Sequence, residues 1–222
     1  MSDESAQPPV VSHRIAEMVA DRILTGRLAP GARIKQDEMA EELGTSRLPV
    51  REALRILESR GLVKLKANSG AWVSSMGLRD LELSYEIRER IEPLLLTDSL
   101  HRLTASDIAD MCTIQDEIEA NDDLERFLAL DRRFHWLSYS RHSAPQLAAI
   151  IERLWDTTQH YRRVFVQLAH KEGSWVIDVE HRLLLEALAR RDAVTAATVL
   201  GMHIRRTRVA LTSHPELIDG QP

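Results

Sequence analysis

The chain has a single cysteine, Cys112, in 222 residues. That excludes an internal disulfide and suits a reducing compartment, so a cytoplasmic location is expected. Aromatic residues are scarce, at 5%. Leu, Ala, Glu and Arg dominate instead, a composition that favours helix. No apolar run approaches the roughly 20 residues needed to cross a bilayer, so no membrane partner is expected. The opening residues, Met1-Ser-Asp-Glu-Ser-Ala-Gln-Pro-Pro9, lack both the basic and the apolar segment of a secretory signal. Residues 1–10 read as a disordered tail. What is present is a hydrophobic share of 44%, enough to fill the core of one or two domains.

A large basic excess is also missing, since the net charge is −5. The charge is unevenly divided, however. Residues 1–75 carry 11 Lys+Arg against 10 Asp+Glu, and residues 76–222 carry 18 against 24. Only the first part is electrostatically suited to face phosphates.

In that first part, Ile15, Met18, Val19, Ile23 and Leu24 recur at helical spacing and predict a helix over about 12–26. Leu28-Ala-Pro-Gly31 is a turn, and Arg33-Ile34 a short strand. A second helix is predicted from Gln36 to Leu43, with Gly44 as its left-handed cap. Ser46 then caps a third helix running to about Arg60. Two short helices joined through a glycine turn are a helix-turn-helix signature. Arg47 and Arg51 share one face of the third helix, where an arginine fork matches guanine O6 and N7 in the major groove. Ser46 and the first-turn amides suit a phosphate. Leu62-Val-Lys-Leu-Lys66 and Ala71-Trp-Val73 predict two strands joined at Asn68-Ser-Gly70. Such a hairpin is a wing, with Lys66 and Gly70 placed to meet backbone phosphates. Winged helices also serve as protein-interaction modules, so the residues alone leave both uses open.

The runs Leu28-Ala-Pro-Gly-Ala-Arg-Ile34, Met39-Ala-Glu-Glu-Leu-Gly-Thr-Ser-Arg-Leu-Pro-Val-Arg-Glu-Ala-Leu-Arg-Ile-Leu-Glu-Ser-Arg-Gly-Leu-Val63 and Gly70-Ala-Trp-Val73 resemble the DNA-binding domain of GntR-family bacterial transcription regulators. The resemblance covers about 60 residues. It implies operator contacts by Ser46, Arg47, Arg51 and Gly70. Some members place an arginine at the start of the second helix, where this chain has Asp37.

From Gly77 onward the pattern is helical. Helices are predicted near 78–100, 105–120, 122–141, 145–169, 175–190 and 192–213, which points to an antiparallel bundle of about six. Four polar residues interrupt the apolar stripes of this bundle: Asp131, His135, His181 and His203, at separations of 4, 46 and 22 residues. Buried polar groups need compensation. One carboxylate and three imidazoles suit a divalent ion such as zinc, nickel or manganese. A polar core network is the alternative. Arg162-Arg163 and Arg205-Arg206 read as solvated faces.

Asp131-Arg-Arg-Phe-His135, Glu180-His-Arg-Leu-Leu-Leu-Glu-Ala-Leu188, Asp192-Ala-Val-Thr-Ala-Ala197 and His203 resemble the FCD ligand-binding domain of the FadR branch of the same family, in its shorter VanR-like form. The resemblance implies a metal on Asp131, His135, His181 and His203, with a small organic acid beside it. It also implies an effector contact by Arg88, with Tyr85 as a second effector-binding candidate on the stripe they share with Glu92. The other reading of Arg88 is an i,i+4 ion pair with Glu92, and of Tyr85 a core residue. Where members often have an asparagine before Pro145, this chain has Ala144.

The expected protein is mainly α. A winged helix-turn-helix over 11–76 precedes an all-helical domain over 77–214 and a tail over 215–222. The expected function is a homodimeric repressor, not an enzyme, that reads an inverted repeat in double-stranded DNA and responds to a small carboxylate. A metalloenzyme and a metal-ion sensor are the rival readings.

Overall fold

The computed structural model describes residues 8–66, 70–172 and 175–219. The turn at Asn68-Ser69 and the helix break at Gly173-Ser174 lie outside them, as do residues 1–7. The chain separates into two compact units. One holds the residues up to Met76 with Trp155–His160, the other Gly77–Leu154 and Tyr161–Asp219.

The first unit contains α1 (Pro8–Leu24), β1 (Arg33–Ile34), α2 (Gln36–Glu42), α3 (Arg47–Ser59), β2 (Val63–Lys66) and β3 (Gly70–Val73). Helix α1 begins at Pro8, inside the segment expected as a tail, because proline is well tolerated in a first helical turn. The apolar face of α1 (Ile15, Val19, Ile23) packs with Val50, Leu54 and Leu57 of α3 and with Val63, Ala71 and Val73 of the strands. Leu54 and Leu57 are fully buried, and burial of each contributes about 1.5–3 kcal/mol. Gly44 takes φ +59 between α2 and α3, a conformation a side chain would strain. The strands form one antiparallel sheet in the order β1-β3-β2, with Lys66 opposite Gly70 and Arg33 opposite Trp72.

The second unit contains α4 (Leu78–Leu100), α5 (Ala105–Glu119), α6 (Leu124–Tyr139), α7 (Pro145–Glu172) apart from Trp155–His160, α8 (Trp175–Ala189), α9 (Ala193–Thr212) and a single turn, α10 (Glu216–Asp219). The last corrects the expected tail: Ile218 is buried and anchors that turn. The helix starts are written in the sequence. Thr104 and Asp107 form a capping box on α5, and Asp123 and Asp192 cap α6 and α9 with their side chains. Helix α9 packs on α4 and α8, and α5 on α6 and α8. The predicted stripe of α4 is inward throughout: Leu81, Tyr85, Arg88, Glu92 and Leu95 are all buried. No described helix is long and apolar enough to cross a membrane.

Candidate nucleic-acid face and metal centre

The helix-turn-helix presents Ser46, Arg47 and Arg51 on one exposed surface, because the apolar positions Val50, Ala53, Leu54 and Leu57 turn the opposite face of α3 inward. Ser46 occupies the N-cap position in extended conformation, yet its side chain makes no cap hydrogen bond. The expected capping contact is therefore corrected, and the hydroxyl is not committed to the first-turn amides. Arg47 Nε lies 2.6 Å from Asp37 Oδ1, and Arg51 Nε 3.7 Å from Glu52 Oε1. On the wing, Lys66 Nζ stands 4.9 Å from the centre of the Trp72 ring and Arg33 Cζ 5.6 Å from it. Trp72 thus gathers two cations on the sheet, a use of Arg33 that strand pattern alone did not reveal. Gly70 has φ +108, a region that only glycine enters at low cost.

In the bundle, Asp131 and His135 come from α6, His181 from α8 and His203 from α9. Their helical spacing turns all four inward, and all are at most 3% exposed. One ligand atom from each falls within 4.8 Å of the others. Atoms bound to one ion at about 2.0–2.2 Å stand no more than about 4.4 Å apart, so small side-chain movements close the set. The three imidazole centroids form a near-regular triangle with sides of 5.2, 5.2 and 5.0 Å. Phe134 stacks on His181 at 4.4 Å and fixes its plane. Asp131 Oδ1 points into the cluster, 3.8 Å from His135 Nε2 and 3.7 Å from His181 Nε2.

The electrostatics suit a cation. Burial holds the pKa values of His135 and His181 well below the ordinary histidine value, with neighbouring imidazoles and Arg162 adding to the effect. Both rings are therefore neutral and keep a lone pair. His181 Nδ1 lies 2.7 Å from Gln115 Oε1, and His203 Nδ1 2.7 Å from Glu180 Oε2. The Nε2 atoms of His181 and His203 are buried and have no hydrogen-bond partner among the described residues. Burial pushes the Glu180 carboxyl up, but hydrogen bonds from Arg206 and His203 outweigh it and bring its pKa to about 2.

Three of these residues are not legible as site residues in the sequence. Arg162, expected on a solvated face, is 3% exposed and sets Nη2 2.5 Å from Asp131 Oδ2. Arg206, also expected in solvent, holds Glu180. Gln115 is wholly buried on α5. Arg88 takes the ion-pair reading: its Nε is 2.5 Å from Glu92 Oε1, and the Tyr139 hydroxyl donates to Glu92 Oε2 at 2.8 Å. Tyr85 is buried with its ring under Arg88 at 4.9 Å, and its hydroxyl has no hydrogen-bond partner among the described residues.

The chain matches two family models, the bacterial regulatory proteins of the gntR family over residues 11–73 and the FCD domain over residues 82–206. It is 32% identical over 133 residues to the HTH-type transcriptional regulator McbR of Escherichia coli, a match spanning 59% of this chain and 60% of that one. It is 26% identical over 222 residues to the galactonate operon transcriptional repressor of Escherichia coli, covering 82% of this chain and 97% of the relative. The solved structure of Escherichia coli McbR/YncC shares the fold, with a TM-score of 0.77, 24% identity, and coverage of 92% and 98% of the two chains. The winged reader with its arginine face, the helical bundle and these matches agree, and the chain belongs to the GntR family of DNA-binding transcription regulators, in the branch that carries an FCD domain.

Proposed function

We propose that this regulator is a repressor whose helical domain binds one divalent ion and one small organic acid, and that the acid sets its affinity for operator DNA. Residues 11–76 form the DNA-binding domain in this reading, and residues 77–214 the effector domain. Two chains assemble as a homodimer in the cytoplasm, so that two heads read the halves of an inverted repeat. Arg47 and Arg51 read bases, while Ser46, Lys66 and Gly70 meet the backbone.

One observation carries the effector half. Asp131, His135, His181 and His203 place ligand atoms within 4.8 Å of one another in a buried setting, and the Nε2 atoms of His181 and His203 have no hydrogen-bond partner among the described residues. An oxygen and three nitrogens suit zinc, nickel or manganese. Four protein ligands leave positions on a six-coordinate ion for a carboxylate. Tyr85, whose hydroxyl has no hydrogen-bond partner among the described residues, and Arg88, whose guanidinium lies 4.9 Å from the Tyr85 ring, are the side chains this reading gives to the acid. Galactonate, named for one relative's operon, is itself a carboxylate. Binding and control, rather than turnover, is the function assigned.

Elemental analysis of protein purified without added metal is expected to give about one ion per chain. Calorimetry of sugar acids and short dicarboxylates, with and without DNA from the upstream region of its own gene, measures the coupling. DNA affinity is expected to change by a factor of roughly 5–150 on binding the acid, with the reciprocal change in acid affinity. An acid that binds at the ion without altering DNA affinity overturns the control mechanism, and its turnover would favour the metalloenzyme reading. Metal that alters DNA affinity with no acid present would favour the metal-sensor reading.

A further inference from the structure

A neutral imidazole carries one N–H and one lone pair, and only the lone-pair nitrogen binds a cation. The three histidines are therefore useful as ligands only in defined tautomers. His181 Nδ1 lies 2.7 Å from Gln115 Oε1, and His203 Nδ1 lies 2.7 Å from Glu180 Oε2. Both partners are oxygens that accept. Nδ1 must then carry a hydrogen in each ring, which leaves the buried Nε2 to face the cluster.

Glu180 can only accept, but a glutamine amide has two unlike ends. The far end of Gln115 settles its orientation. Its Nε2 donates to Glu119 Oε1 at 3.0 Å and to Asp178 Oδ1 at 3.3 Å. Two carboxylates require the nitrogen on that side, which turns Oε1 towards His181. Glu119 is itself held by Arg182 Nε at 2.7 Å, and Glu180 by Arg206 Nε at 2.8 Å. Two chains thus run inward, Arg182–Glu119–Gln115–His181 from an exposed arginine and Arg206–Glu180–His203 from a partly buried one.

We propose that Gln115 and Glu180 are positioning residues that lock His181 and His203 in the Nδ1-protonated tautomer, with Nε2 presented to the centre of the cluster. The consequence for metal affinity rests on the metal reading above, whereas the tautomers do not. The two locks differ in kind. A charged carboxylate stands behind His203, while the neutral amide behind His181 is required by its surroundings. Glutamate at position 115 would face Glu119 and Asp178 with no hydrogen to give. Repulsion from those two carboxylates would swing it away from His181, so the lock is lost even though negative charge is added near a cation site. Simple charge attraction predicts tighter metal binding for Gln115→Glu, and the lock predicts weaker binding.

Two measurements on the full-length protein test this. Long-range 15N–1H correlation spectra of the chelated, histidine-labelled wild type read the tautomers directly and need no variant. Nδ1-protonated His181 and His203 are expected, with the His181 pattern alone lost in Gln115→Met. Chelator competition with zinc is expected to show affinity lowered about 10–100-fold by Gln115→Glu and by Glu180→Gln. Circular dichroism identifies any variant that fails to fold. An Nε2-protonated His181 or His203 in the wild type overturns the proposal, as does tighter zinc binding by folded Gln115→Glu. A wild type that takes up no ion of any kind overturns the metal reading instead, and the spectra still decide the lock.

Discussion

Asp37 on α2 and Arg47 on α3 meet across the helix-turn-helix, with Oδ1 2.6 Å from Nε. The contact uses the inner nitrogen of the guanidinium and leaves its outer edge for a base. A long side chain held this way has less freedom to lose on binding DNA. Both residues are largely exposed, so the pair itself adds little stability. Arg47→Ala is expected to cost about 1–3 kcal/mol of operator affinity, as loss of a bidentate base contact does. Asp37→Ala removes a negative charge from a surface that faces phosphates. It is expected to strengthen binding to scrambled DNA while narrowing the ratio of operator to scrambled affinity. Isotherms on both DNAs, at two salt concentrations, check this. An unchanged ratio would show that Asp37 does not position Arg47.

Asp107 joins two helix ends, bonding back to Thr104 at the start of α5 and receiving Arg141 beyond the end of α6 at 3.0 Å. The bonds from Arg141, then from the Thr104 backbone, hold its carboxyl well below the usual carboxylate range. A depressed folded-state pKa gives stability that is present above the unfolded value and lost as pH falls through the folded one. Asp107→Ala is expected to destabilise the helical domain by about 1–2 kcal/mol at neutral pH. The gap to wild type should stay constant down to about pH 4 and narrow below it, closing only as pH passes the folded-state value. Denaturant melts at about pH 7, 4 and 2 follow it. A gap as large at about pH 2 as at about pH 7 would mean that the loss is of packing, not of charge.

The fold was largely legible because period and punctuation agree. Alternating residues gave the strands, helical spacing gave the helices, and the stripe through Leu128, Asp131 and His135 showed which face turns inward. The same stripe found the four clustered residues, since each breaks an apolar run. Arg162 and Arg206 were not legible. An arginine next to another arginine looks like a solvated face, and its burial is decided by a carboxylate on a different helix. Gln115 was missed for the same reason: its three partners lie at positions 119, 178 and 181. Arg88 was ambiguous in the sequence because Glu92 stands one turn away. The Tyr139 hydroxyl on Glu92, contributed by α6, completes the ion pair in the fold.

Gly201 faces the one turn of α4 where Pro93 supplies no N–H. A Cβ there would lie 3.6 Å from the Glu89 carbonyl oxygen and 3.9 Å from Pro93 Cγ, both ordinary contact distances. Its backbone is helical, so alanine fits without strain. Gly201→Ala is expected to stabilise the helical domain by about 0.4–1 kcal/mol, chiefly by reducing the freedom of the unfolded chain. Thermal melts of the two proteins test this. Destabilisation would mean that α4 and α9 pack too closely to admit a methyl group.

Arg162 divides the Asp131 carboxylate into two roles. Its Nη2 lies 2.5 Å from Oδ2, while Oδ1 faces the imidazoles. Both residues are buried, so neither charge is stabilised by water. Removing one partner of such a pair typically costs about 3–5 kcal/mol, because the other is left uncompensated. Arg162→Ala is therefore expected to destabilise the metal-free protein by that amount. An ion on Oδ1 would then replace the missing positive charge. The rise in melting temperature on adding zinc should consequently be larger in the variant than in wild type. In wild type, zinc at 100 times its dissociation constant would add about 2.7 kcal/mol, or roughly 5–10 °C. Scanning calorimetry of both proteins, chelated and zinc-loaded, supplies the four melting temperatures required. A smaller zinc-induced rise in the variant would reverse the assignment. Arg162 would then act mainly to aim Asp131 at the ion, and the compensation argument would fail.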